Sequence, residues 1–302
     1  MKTAQLVHNP SAGKGAHGKK KLMEIVKEAG YSADYISTKN PEDWKNFNPY
    51  KADAIFLAGG DGTVHKLAER LLKTIKDKSI PIHLLPLGTA NNVARTLKIP
   101  TVLEGHTLDA KRSLINFDYG RVKGSAHDGF FLESVGFGIF PQLIHEMKKY
   151  NNKELAPNEE LKKAVQVLLK IVDEFESQKT TINTNGITIK GKFLLVELMN
   201  TQYMGPNIKL APYANPSDGN FELVLIPHQN KEELKNYLKE IINGKSDNLS
   251  LSKFVKTIRV KDVKLKWGGS KMHVDDNLIN DYSGDKVKIE ILPSALSFYG
   301  NI

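Results

Sequence analysis

Along residues 1–117, short apolar runs alternate with stretches whose apolar residues recur at helical spacing. Residues 5–8, 33–37, 54–58 and 80–85 read as strands with helices between them. That alternation predicts right-handed βαβ units around a mostly parallel sheet, an α/β, Rossmann-like N-terminal domain. After Asp118 the texture changes. Residues 129–137, 187–199, 221–226, 257–266 and 287–292 are β-rich runs parted by turn clusters, which predict an antiparallel, β-rich sandwich or half-barrel. Two helical stretches interrupt it, about residues 158–176 and 231–242. In the first, Ala164, Val165, Leu168, Ile171 and Val172 recur at spacings of one, three and four, the pattern of a helix packed on a core; a lipid-facing lid is the sharper alternative. The expected division is 1–117 and 118–302, with the last ten or so residues able to return to the first domain.

Composition narrows the class. The chain has 302 residues, 40% of them hydrophobic and 25% charged, which suits globular domains with substantial cores. No apolar run is long enough to span a bilayer, and His8 and Asn9 end the N-terminal apolar stretch too early for a signal peptide, so a cytoplasmic location is expected. Without cysteine there is no disulfide framework and no thiolate metal site. Forty-three Lys and Arg against thirty-four Asp and Glu leave a charge of +9, which favours an anionic membrane surface or another polyanion and also serves plain solubility. Nucleic acid is not expected as a partner: there is no zinc-finger spacing, RNP-type aromatic strand or arginine cluster.

The candidate chemistry lies where the early strands end. Gly59, Gly60, Asp61, Gly62 and Thr63 join an apolar strand to a helix, and such a turn aims backbone N–H groups and the positive helix end at one point, as phosphate oxygens require. Asn9, Pro10, Ser11, Ala12 and Gly13 form a second strand-to-helix turn, without the Gly-Lys-Ser/Thr ending of a Walker A loop. The third is Pro86-Leu87-Gly88-Thr89-Ala90-Asn91-Asn92, in which Thr89 and Asn91 can contact a ligand or cap the following helix. Thr38 follows the second strand with the same two readings.

Taken in order, these segments resemble the diacylglycerol kinase catalytic domain superfamily, which includes soluble bacterial lipid kinases and the sphingosine and ceramide kinases. The resemblance spans nearly the whole chain and extends to Pro212 through Asp218 and Gly219. It implies a nucleotide held in a cleft between the two domains, with ATP donating its γ-phosphoryl group to a lipid hydroxyl and Asp61 holding a catalytic Mg²⁺ or orienting the triphosphate. The acceptor would be a diacylglycerol-like or long-chain-base-like lipid presented at a membrane surface. The family's Asp-Gly-Glu motif falls on Asp275, Asp276 and Asn277, so Asp275 keeps the first carboxylate while the glutamate assigned as the base is an amide here. Asp275 or Asp276 then serves as proton acceptor, or the activity is weak or altered. The family's structural metal would fall on Asp218 and the carbonyls of Asn215 and Asn220, an oxygen set suited to Mg²⁺ or Ca²⁺. The rivals are an NAD kinase, which shares the Gly-Gly-Asp-Gly loop, and a degenerate kinase acting as a nucleotide-binding regulator.

Overall fold

The computed structural model describes residues 1–15, 17–74, 79–101, 112–124, 128–150, 155–245 and 251–302. The chain divides into two compact units, Met1–Phe117 with Ser294–Ile302, and Asp118–Pro293. The C-terminal residues thus belong to the first unit, and the second ends at Pro293 rather than at the chain end.

The first unit runs β1 (Lys2–His8), α1 (Lys19–Glu28), β2 (Tyr31–Ser37), α2 (Pro41–Lys45), β3 (Ala54–Gly59), α3 (Asp61–Thr74), β4 (Pro81–Pro86) and α4 (Asn92–Thr96). Its strands pair in parallel in the order β2-β1-β3-β4, and Ser297 and Phe298 of the last strand add in parallel beside Pro81 and Ile82. All six residues of β3 are buried, because an all-parallel strand has helices on both faces and needs an apolar side chain at every position. Leu6, Phe56, Leu22 and Val26 share one core cluster, which docks the apolar stripe of α1 on the sheet. The register sets His8 beside Ala58 and Gly59 beside Pro86, so three strands finish at one edge. The turns leaving them are collected where an open α/β sheet offers ligands a place.

The strand β5 (Ser113–Lys123) carries the chain into the second unit at Asp118, followed by β6 (Gly129–Phe131), β7 (Ser134–Gly138), α5 (Ile139–Met147) and α6 (Pro157–Glu174). The unit continues with β8 (Gln178–Thr184), β9 (Ile187–Met199), β10 (Tyr203–Met204), β11 (Ile208–Lys209), β12 (Phe221–Pro227) and α7 (Lys231–Ile242). It closes with β13 (Lys256–Val260), β14 (Asp262–Trp267), β15 (Met272–Val274), β16 (Asn277–Ile279) and the start of β17 (Val287–Gly300). Pairing among these strands is antiparallel, with β9 central: β7, β8 and β12 all pair with it. The continuous apolar run of β12 has a simple cause. Phe221, Leu223 and Leu225 enter one core cluster with residues of β14 and β15, while Val224 and Ile226 enter the other with α5, α6 and α7.

Three elements differ from the sequence expectation. Residues 129–137 are two strands, β6 and β7, broken at Leu132 and Glu133. Residues 257–266 are also two, since β13 pairs with β12 whereas β14 pairs with β8 and β17. The helix α5 has no counterpart in the expected pattern; its Pro141 lies in the first turn, where the missing N–H costs nothing. The α6 face is core: Val165, Leu168, Ile171 and Val172 are buried in one cluster with Leu194 and Leu238. No helix among the described residues is long and apolar enough to cross a membrane.

Candidate active site

In the first unit the three turns are joined to one another. The Asn9 N–H donates to the Ala58 carbonyl at 2.9 Å, and its side-chain amide donates to the Thr63 hydroxyl at 3.1 Å, tying the first turn to the glycine loop. Asn9 Oδ1 accepts the Ser11 N–H at 3.1 Å, and the Asn9 carbonyl accepts the Ala12 N–H at 3.0 Å, closing a turn around Pro10. Gly13, at φ 58°, occupies the left-handed region. Thr38 reaches the same edge because its N–H donates to the His8 carbonyl at 2.9 Å. The glycine loop and the third turn touch backbone to backbone: a Cβ on Gly60 would lie 2.8 Å from the Gly88 Cα, and one on Gly88 would lie 2.5 Å from the Gly60 Cα. Only glycine at both positions permits that approach. Asn91, left-handed at φ 54°, braces the turn by accepting the Gly88 N–H at 2.9 Å and donating to the Gly88 carbonyl at 2.7 Å. Thr89 lies between the braced pair, partly exposed.

Asp61 is the strut of this arrangement. Its carboxylate accepts the N–H groups of Asn92 and Val93 at 3.0 and 3.1 Å, so the first residue of α3 caps the first turn of α4. The axis of the 14-residue α3 starts at Asp61, and helix geometry leaves first-turn amides pointing out of that end. A backbone cradle too narrow for a β-carbon, set at a helix N-terminus, fits the phosphate chain of a nucleotide.

In the second unit Asp275 follows β15 in the left-handed conformation, φ 48°. Its carboxylate accepts the N–H groups of Leu132, Glu133 and Ser134, with shortest distances of 2.9, 2.8 and 3.1 Å. These are the amides exposed by the break between β6 and β7, so the break and Asp275 explain each other. Asp276 and Asn277 are exposed. A small cavity of about 40 Å³ opens beside the turn, lined among others by Glu133, Phe140, Met204, His273, Asp275 and Asp276.

Comparison with known proteins decides the family. The model of the diacylglycerol kinase catalytic domain matches residues 3–122, and that of the YegS C-terminal NAD kinase beta sandwich-like domain matches residues 146–299, about half of the chain. The chain belongs to the diacylglycerol kinase catalytic domain superfamily. A diacylglycerol kinase of Bacillus subtilis strain 168 is 26% identical over 273 residues, covering 86% of each chain. One from Staphylococcus carnosus TM300 is 24% identical over 248 residues, covering 77% of this chain and 75% of its own. A solved diacylglycerol kinase structure from Bacillus anthracis Sterne shares the fold, with TM-score 0.69 at 19% identity over 99% of this chain and 97% of its own. The protein is an enzyme, an ATP-dependent lipid kinase by class.

Within this lipid kinase fold the residues expected to hold a structural metal, Asn215, Asp218 and Asn220, lie in one hydrogen-bonded turn. Asp218 Oδ2 accepts the Arg259 guanidinium at 2.5 Å, and Oδ1 accepts the Asn220 N–H at 2.9 Å. The Asn215 carbonyl accepts the Asp218 N–H at 3.4 Å, and the Asn220 side chain donates to the Asp218 carbonyl at 2.8 Å. Both carboxylate oxygens and the Asn215 carbonyl therefore carry protein donors, and the positive charge facing Asp218 comes from strand β13. No cluster of three or more His, Asp or Glu side chains with metal-binding geometry exists among the described residues.

Two site-adjacent residues escape the sequence patterns. Glu197, wholly buried in β9, faces His273, 2% exposed in β15, with the His273 Nε2 at 2.9 and 3.1 Å from the two carboxylate oxygens. The visible signal is a glutamate inside the apolar run Leu194-Leu195-Val196-Glu197-Leu198-Met199. A buried charge there demands a partner.

Proposed function

We propose that this lipid kinase transfers the γ-phosphoryl group of ATP, taken as its Mg²⁺ complex, to the hydroxyl of a diacylglycerol-like or long-chain-base-like lipid. The observation that carries the reading is the Gly60–Gly88 backbone contact beneath the amide-lined end of α3. ATP supplies the activated phosphoryl group when bound. The amides of Gly60 to Gly62 and the turns at Asn9 to Gly13 and Gly88 to Asn91 would hold its phosphate oxygens, with the Thr63 hydroxyl and Thr38 at the same edge. Asp61 keeps two of those turns in register, which matters because phosphoryl transfer depends on positioning and on stabilising developing charge.

On the acceptor side the chemistry needs a group that can take the hydroxyl proton. Asp275 spends its carboxylate on three backbone amides and acts as the anchor of the turn. We assign the acceptor role to Asp276, which is exposed, lines the adjoining cavity and carries the carboxylate nearest in sequence to Asn277. The +9 charge supports work at an anionic membrane surface.

The test is transfer from radiolabelled ATP to a panel of lipid alcohols in mixed micelles, with the product identified by mass spectrometry. Asp276→Asn should abolish most turnover while sparing ATP binding; undiminished turnover would remove Asp276 from the role. Label appearing on NAD and on no lipid would favour the NAD kinase reading, and ATP binding with no transfer to any acceptor would favour a regulatory protein.

A further inference from the structure

The turn bearing Asp275 and Asp276 is held from behind by a charged pair sealed in the β-rich unit. His273 Nε2 lies against the Glu197 carboxylate, and His273 Nδ1 lies 2.8 Å from the main-chain carbonyl of Asp275, two residues ahead. A carboxylate and a carbonyl oxygen can only accept, so satisfying both contacts requires a proton on each ring nitrogen. With Glu197 ionised, the ring is an imidazolium. Space for the carboxylate comes from the neighbouring strand: a Cβ on Gly136, opposite His273 in the β7–β15 ladder, would fall 1.8 Å from Glu197 Oε2.

We propose that the Glu197–His273 pair is the positioning element of the acceptor site: by donating from Nδ1 to the Asp275 carbonyl, the imidazolium locks Asp275 in its left-handed conformation, which seats its carboxylate on the Leu132–Ser134 amides and points Asp276 at the cavity.

Left-handed backbone is disfavoured for an aspartate and persists only where its surroundings overdetermine it. Two constraints do so here, the side-chain anchor on residues 132–134 and the main-chain anchor on His273. Burial alone would push the His273 pKa down, but the Glu197 charge and hydrogen bond, then the Asp275 carbonyl, outweigh it, so the pKa is raised. The groups facing the ring are few. β9 contributes Glu197, β7 contributes the side-chain-free Gly136, β16 contributes Leu278 as register partner, and α5 lines the cavity with Phe140, Leu143 and Ile144. The remaining titratable groups around the cavity, Glu133, Asp275 and Asp276, are acidic and favour the protonated ring. The second ring proton is therefore held to higher pH than in an exposed histidine, and as pH rises through the raised pKa the one proton left is drawn to the Glu197 carboxylate and Nδ1 no longer donates to Asp275.

This inference rests on the lipid kinase reading of the Asp275–Asp276 turn, and the test separates the two. Three variants divide the contacts. His273→Asn places an amide where Nδ1 was and keeps the bond to the Asp275 carbonyl; His273→Gln places it where Nε2 was and keeps only Glu197; Glu197→Leu with His273→Leu removes the pair without leaving a buried charge. Two readouts are taken on each: phosphoryl transfer to dioctanoylglycerol in mixed micelles across pH 6–9, and amide hydrogen exchange at residues 132–134. The expected result is a kcat lowered about tenfold or more, with the KM for ATP unchanged, in His273→Gln and the double leucine variant, and within about threefold of wild type in His273→Asn. The wild type should lose kcat at alkaline pH, a limb absent from His273→Asn. Exchange protection of Leu132 to Ser134 should fall in the first two variants and persist in the third. A folded double leucine variant with wild-type kcat, pH profile and protection would overturn the proposal. If the wild type phosphorylates no lipid, the lipid kinase reading fails alone, and the exchange pattern still decides whether the pair locks the turn.

Discussion

Asp61 and Asp275 are the two carboxylates that the motifs single out, and both are engaged by backbone amides rather than left open to solvent. Each therefore carries a stability role on top of any chemical one. Asp61→Ala leaves the Asn92 and Val93 amides of α4 without their acceptor, and urea unfolding should show a loss of about 1–3 kcal/mol together with loss of phosphoryl transfer. An unchanged midpoint would mean that the strut is dispensable. Asp275→Ala should be the more damaging, since three buried amides lose one shared partner. The carboxylates were visible as motif members in the chain. Their partners were not, because Asn92 and Leu132 lie 31 and 143 residues away from them, respectively.

At the scale of elements, the strand-turn-helix junctions were legible because each carries its own punctuation: an apolar run, glycines, then residues at helical spacing. Expected strands at 5–8 and 54–58 fall inside β1 and β3, and that at 80–85 lies within β4 except for Ile80, one residue ahead of it. The split of residues 129–137 was not legible, since Leu132 and Glu133 carry no turn signal and the break is stabilised by groups distant in the chain, the Asp275 carboxylate on its amides and Asn200 and Thr201 on its carbonyls. Two glycines of one motif should behave in opposite ways. Gly60→Ala sets a β-carbon 2.8 Å from the Gly88 backbone and should cost about 1–3 kcal/mol, as overpacking does, and weaken nucleotide binding. Gly62→Ala meets nothing within 4 Å and lies within α3, so its melting temperature should be unchanged or slightly raised. Equal destabilisation by both would contradict the close approach of the two turns.

Across the molecule, two buried histidines set opposite pH responses. His83 in the first unit is stacked between Phe56 and Tyr299 at centroid distances of 4.5 and 4.2 Å, and burial, then Arg112 and Lys2, lower its pKa to about 4. Its folded-state pKa is below the unfolded value, so the unfolded chain binds more protons between these pH values and stability falls as pH drops from 6.5 towards 4. The loss approaches roughly 3 kcal/mol at the lower limit. Denaturant unfolding at pH 7 and pH 4.5 should record it, and His83→Phe should shrink the difference. His273 has the opposite sign: its stabilising contribution is present below pH 6.5 and is lost as pH rises through its raised pKa. The sequence by itself determined the parallel and antiparallel halves, the strand-end turns and the family, because these depend on periodicity and local turn chemistry. Only the tertiary structure decided that Arg259 faces Asp218, that Asp275 anchors a broken strand and that His273 meets Glu197. Those pairings join residues far apart in the chain, and their energies come from burial and orientation, which local sequence does not encode.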